Sequence, residues 1–172
     1  TQKTGRIPDL IFEFEEGKII RDKSQMEGFS SAKLSDGVFD FQKLGSNQLN
    51  FGASFGITNS DRDGRIISYN LLDDGSVMVG SDRTLKVYTA KGELIKELSG
   101  HNGQVIDIVS NGKSVFTYGS DQIIKVWSKA DWTLQYNLFI TRSFDWILWG
   151  NDGRYTASSG GEEQFKRRIS KN

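Results

Sequence analysis

Thr117, His101 and Asp121 supply the hydroxyl, imidazole and carboxylate from which a nucleophilic triad is built, and His101 is the sole histidine of the 172-residue chain. No second histidine is available for a metal site or a proton shuttle. Thr117 also falls inside an alternating apolar run that reads as a strand, without the sharp exposed elbow that presents a nucleophile. The absence of cysteine excludes disulfides, thiolate zinc sites and cysteine nucleophiles. The run Asn59-Ser60-Asp61-Arg62-Asp63-Gly64 begins like a calcium loop, with oxygen side chains at alternate positions and glycine sixth. Its twelfth position, which needs a bidentate carboxylate, is Asn70, so a polar turn between strands is expected. Lys166, Arg167, Arg168 and Lys171 could meet phosphates or an acidic partner, but basic residues near a chain end are mostly solvated, and Glu162 and Glu163 offset them. No metal, cofactor or catalytic residue is assigned from these residues.

The elements that position them come from an internal repeat. Gly80 to Tyr88, GSDRTLKVY, recurs as GSDQIIKVW from Gly119 to Trp127, 39 positions later. A period near ~40 is the length of a four-stranded propeller blade. In the first copy, strands are expected at Ile66 to Leu72, Val77 to Val79, Leu85 to Thr89 and Leu94 to Leu98, with turns at Asp73-Asp74-Gly75 and Ser81-Asp82-Arg83. In the second they are expected at Val105 to Val109, Val115 to Tyr118, Ile123 to Trp127 and Thr133 to Leu138. A weaker third copy offers Trp146 to Trp149, Tyr155 to Ser158 and Gln164 to Ile169, with no fourth strand.

The chain is thus read as all-β: a degenerate blade region at 1–65, then repeats at 66–100, 101–143 and 144–172. Within 1–65, strand-like runs lie at Leu10 to Phe14, Phe29 to Leu34, Val38 to Phe41, Leu49 to Phe51 and Ser54 to Thr58. Leu10 to Phe14 could serve as a closing strand for the last repeat and hide two open edges. Nineteen glycines, one proline and the aromatic content support many short strands and tight turns. The 22 basic and 22 acidic residues cancel, which removes the electrostatic footprint of a general nucleic-acid or membrane-surface binder. No apolar run approaches the ~20 residues of a membrane span; the compartment is left open by the sequence, with a cytoplasmic one favoured.

The second copy, with the Gly100-His101 before it, resembles a WD40 repeat. The resemblance implies a hydrogen-bonded set: His before the first strand, Ser or Thr in the second, Asp in the turn after it, and Trp in the third. Those positions fall on His101, Thr117, Asp121 and Trp127. Their spacing matches this structural set, which argues against catalysis. In the first copy Asp82 survives, while Met78 stands four residues before it and Tyr88 replaces Trp. Phe144 to Ile169 resembles the closing repeat of bacterial WD40 proteins, some of which join the propeller to a caspase-like peptidase domain. Most WD40 propellers have seven or eight blades, so the chain is expected to be a fragment, half of an assembled ring or a small propeller.

The resemblance implies a non-catalytic scaffold of β-propeller type that binds a protein partner or another domain of its parent chain. The alternative is the sensor or regulatory portion of a larger bacterial enzyme, such as a caspase-like peptidase, with catalysis outside this chain. A propeller-class hydrolase would need carboxylates converging at the central channel, and nothing makes Asp61, Asp63, Asp73 and Asp74 converge. Candidate partner-binding residues are Asp82, Arg83, Trp132 and Arg142, on loops held by a rigid frame. Trp132, Trp146 and Trp149 lie outside the repeat's own tryptophan position; core packing is their default, and any that faces solvent is a candidate interface anchor. If the blades form half of a ring, a homodimer completing it is the expected assembly.

Overall fold

Alternating apolar runs separated by Asp-Gly and Asn-Gly turns become antiparallel strands in the computed structural model, which describes residues 11–13, 18–20, 41–51, 55–82 and 84–169. The described residues form β1 (Ile11–Glu13), β2 (Lys18–Ile20), β3 (Phe41–Lys43), β4 (Gln48–Phe51), β5 (Phe55–Thr58), β6 (Ile66–Leu71), β7 (Val77–Ser81) and β8 (Leu85–Tyr88). There follow β9 (Leu94–Leu98), β10 (Val105–Asn111), β11 (Ser114–Gly119), β12 (Ile123–Ser128), β13 (Leu134–Ile140), β14 (Trp146–Gly150), β15 (Tyr155–Ala157) and α1 (Ser159–Ile169). The run Phe29 to Leu34, and Val38 to Phe41 apart from its last residue, lie outside the described residues. The chain divides into two units, residues 32–137 and residues 1–31 with 138–172.

In the unit of residues 32–137, three sheets follow one another: β3-β4-β5, then β6-β7-β8-β9, then the sheet that begins β10-β11-β12-β13. Local chemistry closes the turns. Gly75 takes a φ of 79°, which favours glycine, while Asp74 Oδ1 accepts from the Ser76 amide and hydroxyl at 3.0 and 2.6 Å. Asn111 Oδ1 accepts from the Ser114 amide at 2.9 Å and does the same for the next hairpin.

Cross-strand pairing sorts each strand's side chains onto two faces. On β6–β9, one face carries Leu71, Val77, Val79 and Tyr88, which are buried with Leu49, Phe51 and Ile57 of β4 and β5. The other carries Met78, Leu85, Val87 and Leu98, buried with Val105, Ile108, Val115 and Trp127 of β10–β12. Two polar side chains on this second face reach the following sheet: Ser68 Oγ donates to the Val105 carbonyl at 2.7 Å and Asn70 Nδ2 to the Ile108 carbonyl at 2.9 Å. Gly80 permits this approach, because a Cβ there would come within 2.8 Å of Val105 Cβ and run into the Ser68 hydroxyl.

In the other unit, β1 pairs with β2 from Ile11↔Ile20 to Glu13↔Lys18. The end of β13 is followed in sheet order by β14 and β15, through a turn in which the Thr141 amide bonds the Asp145 carbonyl at 2.7 Å. The Phe12 ring meets Trp146 of β14 edge-on, with centroids 5.0 Å apart. The strand expected at Gln164 to Ile169 is instead the body of α1. Ser158 accounts for the difference as a helix N-cap, its hydroxyl accepting the Gly161 amide at 3.1 Å and its carbonyl the Glu162 amide at 2.8 Å. Glu162 lies in the first turn of the helix, where the helix dipole favours an acidic side chain.

The tight seam at Gly80 gives a direct test by urea denaturation. Gly80→Ala should lower unfolding stability by about 1–3 kcal/mol through overpacking. Gly112→Ala, at a turn where an added Cβ meets nothing within 4 Å, should stay within about 0.5 kcal/mol of the parent.

Candidate functional site

The sheet beginning at β10 brings His101, Thr117, Asp121 and Trp127 together from four separate pieces of chain. His101 lies in the loop before β10, Thr117 on β11, Asp121 in the turn after β11, and Trp127 on β12. Register places Thr117 opposite Lys125 and Val115 opposite Trp127, so the hydroxyl and the indole share a face. Gln122, with φ 66°, makes the turn that points Asp121 back toward the loop.

The direction of each hydrogen bond follows from what each group can do. A carboxylate only accepts, so His101 Nδ1 donates to Asp121, at 3.1 Å to either oxygen. Nε2 of the neutral ring then accepts from the Thr117 hydroxyl at 2.8 Å, and Thr117 Oγ1 accepts from Trp127 Nε1 at 2.9 Å. Asp121 also receives the amides of Asn102 at 2.9 Å and Ile123 at 3.2 Å. Burial pushes the His101 imidazole below its ordinary pKa, against the pull of Asp121, and the nearby Lys125 charge adds to the lowering. Asp121 is held below the usual carboxylate range: burial opposes this, but the two amides and the imidazole outweigh it. Thr117 is 1% exposed and its oxygen is already committed to the indole, so the assembly holds a loop on a sheet and presents no nucleophile.

The first repeat solves the same problem with different residues. Asp82 receives the Arg65 amide at 2.8 Å and its guanidinium at 3.0 and 3.1 Å, and takes Gln104 Nε2 at 2.7 Å. These bonds, the Arg65 side chain first, lower its pKa to about 2. Register corrects the sequence alignment: the residue opposite Lys86, as Thr117 is opposite Lys125, is Val79 and not Met78. With no hydroxyl there, the buried polar work passes to Asp63 and Lys86, an ion pair of 2.8 Å supported by the Ser60 hydroxyl at 2.6 Å and the Thr84 hydroxyl at 3.2 Å. Burial would raise Asp63, but Lys86 and Ser60 bring it down to about 2. Sequence reasoning missed this pair. The signal was Lys86 recurring as Lys125 within strands of apolar neighbours, a place where an ammonium needs a partner. Lys125 is buried too, but donates to the neutral Asn137.

The calcium-like run is a turn whose side chains serve one another. Asn59 Nδ2 donates to the Gly64 carbonyl at 3.1 Å and to Ser81 Oγ at 2.7 Å, and Asp63 closes on Ser60. Of the candidate partner-binding residues, Asp82 is engaged as described, Arg83 lies outside the described residues, and Trp132 packs half-buried against the core beside Trp127. Arg142 is exposed in the turn between β13 and β14. Trp146 is buried and Trp149 half-buried.

Residues 92–128, which include all four members of the His101 assembly, match the family described as "WD domain, G-beta repeat". No curated protein matches the chain. Two solved structures are similar: "Structure of U3-55K", with a TM-score of 0.56 and 12% identity over 73% of this chain and 50% of that one, and "Crystal structure of RRP9 WD40 repeats", with 0.53 and 12% over 73% and 49%. The fold is that of WD40 β-propeller blades. The chain spans about half the length of the solved structures it matches. With β6–β9 taken as blade one and β10–β13 as blade two, the family match covers β9 of blade one, the loop after it and the first three strands of blade two.

The depressed His101 pKa has a thermodynamic sign. The unfolded chain takes up a proton near pH 6.5 while the folded chain does not until lower pH, so stability is fully present above about 6.5 and falls as pH drops through that window. A second loss is expected between about pH 3.8 and 2, as Asp63 and Asp82 become protonated. Because His101 is the sole histidine, its proton NMR signal can be followed alone, and its midpoint should lie below 6.5. Thr117→Val should cost about 2–4 kcal/mol in urea denaturation, since it strands both the imidazole nitrogen and the indole N–H.

Proposed function

We propose that the chain is a non-catalytic scaffold that binds protein partners on the exposed loops and faces of a rigid blade frame. The observation that carries this reading is the closed His101-Thr117-Asp121-Trp127 assembly: the groups best suited to chemistry are buried and used to hold a loop. WD40 repeats in general serve protein interaction, and the balanced charge favours partners selected by shape and local contacts over nucleic acid. No helix is long and apolar enough to cross a membrane among the described residues.

Of the loop residues nominated for contact, Arg142 has the exposed position that partner binding needs, whereas Asp82 supports the frame. Its exposure favours the β13–β14 turn over the Asp82 turn as the seat of a partner, whether a separate protein or another domain of the parent chain. No observation on the described residues favours the regulatory portion of a larger peptidase over this scaffold.

Affinity purification of the intact gene product from its native host, with quantitative mass spectrometry, tests the reading. A specific protein partner is expected, retention should fall at least severalfold in Arg142→Glu, and the variant's urea midpoint should stay unchanged. Recovery of no specific partner would sink the scaffold reading. By contrast, Asp82→Ala should lower stability by about 1–3 kcal/mol, because the Gln104 and Arg65 donors lose their acceptor.

A further inference from the structure

An Asn or Asp followed by glycine places a side-chain carbonyl carbon beside an unhindered backbone nitrogen. Ring closure between them needs two freedoms: the side chain must be able to turn toward the chain, and the glycine N–H must be unbonded so that its proton can leave. The described residues contain such steps at 63–64, 74–75, 102–103, 111–112 and 152–153. At four of them the side chain is held. Asp63 bonds Lys86 and Ser60, Asp74 bonds Ser76, and Asp152 bonds the Arg154 amide and guanidinium. Asn111 Oδ1 accepts the Lys113 and Ser114 amides at 3.3 and 2.9 Å. Three of these glycines also spend their N–H, Gly64 on the Ser60 carbonyl, Gly75 on Leu72 and Gly153 on Gly150. Asn102 differs in both respects. Its side chain is exposed and has no hydrogen bond, and the Gly103 N–H has no acceptor, among the described residues.

On either side of this free step the backbone is pinned. Before it, the His101 ring and the Asn102 amide are bound to Asp121, the amide at 2.9 Å. After it, the Gln104 amide donates to Ser120 Oγ at 2.9 Å and the Gln104 carbonyl accepts the Ser120 amide at 2.8 Å. Gly103 lies so close to Ser120 that an added Cβ would run into the serine hydroxyl. Gln104 Nε2 then reaches Asp82 of blade one at 2.7 Å. The loop that seats His101 thus also ties the two blades together, and its one unconstrained side chain sits between the two anchors.

We propose that Asn102 is a site of spontaneous deamidation and isoaspartate formation, and that the modified loop releases Gln104 from blade one. Hydroxide removes the Gly103 amide proton, the nitrogen bonds Asn102 Cγ, and the Cγ–Nδ2 bond breaks. The departing group leaves as ammonia with a proton from water, which regenerates hydroxide. Water then opens the resulting succinimide. Cleavage of the new N–Cγ bond leaves an aspartate, whereas cleavage of the original backbone C–N bond leaves isoaspartate, with the chain running on through Cβ and Cγ. Isoaspartate therefore adds one methylene to a backbone pinned at both ends, and the new carboxylate stands beside Asp121. Gly103 has no room to take up that length against Ser120, so the bonds of Gln104 to Ser120 and Asp82 give way.

Incubation of the folded full chain at mildly alkaline pH tests the site, with peptide mapping by mass spectrometry after cleavage at aspartate, which parts the two Asn-Gly steps at Asp107. A gain of about 1 Da, partly as isoaspartate, should appear in the Asn102 peptide. It should form roughly tenfold faster than in the Asn111 peptide, whose amide oxygen must first give up two hydrogen bonds. In denaturing urea the two steps should react at similar rates, because only the fold distinguishes them. Asn102→Gln should stop the reaction and leave the urea midpoint intact, since that side chain has no partner to lose. Equal or faster reaction at Asn111 in the folded chain overturns the site, as does an Asn102 that stays unmodified while the unfolded chain reacts. Release of the loop is read separately on purified isoaspartate chain. Its Gln104 side-chain amide signals should move toward those of free glutamine, and its urea midpoint should lie below that of Asn102→Asp, which carries the charge without the extra methylene. Gln104 signals that stay in place overturn the release.

Discussion

A carboxylate in the turn after the second strand holds each blade together. Asp82 and Asp121 both face backward and collect donors from the loop that leads into the first strand: the Arg65 amide and guanidinium in one case, the Asn102 amide and the His101 imidazole in the other. Charge-assisted bonds of this kind are roughly twice as strong as neutral ones, and here they fix a loop that has no sheet partners of its own. Once the loop is fixed, the first strand enters in register, and the two faces of the blade are set. In blade two the same carboxylate also orients the imidazole, which fixes Thr117, which fixes the indole.

The blades then stack through opposite faces. Each strand alternates sides, so a sheet with apolar residues on both sides needs a cover on each. Blade one has both covers, Leu49, Phe51 and Ile57 on one side and Ile108, Val115 and Trp127 on the other. Buried ionisable groups fit where they find partners. Asp63 neutralises Lys86, while Lys125 relies on Asn137 and is pushed below its ordinary pKa by burial. Tyr88, which takes the place of Trp127 in blade one, has its hydroxyl pushed up to about 12, mainly by burial, so it remains neutral against the core.

Much of this was legible in residue order. The repeated Gly-Ser-Asp segments located the turns, and period-two alternation located every strand of blades one and two to within a few residues. The family resemblance named the four residues that the structure joins. The C-terminal helix was not legible as such, because Phe144 to Ile169 resembled a closing repeat and the Ser158 cap has meaning only once the chain has left β15. The alignment of Met78 with Thr117 failed for a geometric reason: the turns between the second and third strands of the two blades differ by one residue, and a one-residue slip in a strand exchanges its faces.

Sequence alone therefore determined the class of fold and the positions of the turns, which depend on local periodicity, while the make-up of the His101 assembly came from its resemblance to a WD40 repeat. Only tertiary structure decided which side chains of β6–β9 meet which neighbouring sheet, that Asp82 spends its oxygens on Arg65 and Gln104, and that Asp63 belongs to Lys86. The physical reason is that a side chain's role depends on what lies within a few ångströms of it. Alternation sorts residues onto two faces, but only the neighbouring sheet determines what each face meets.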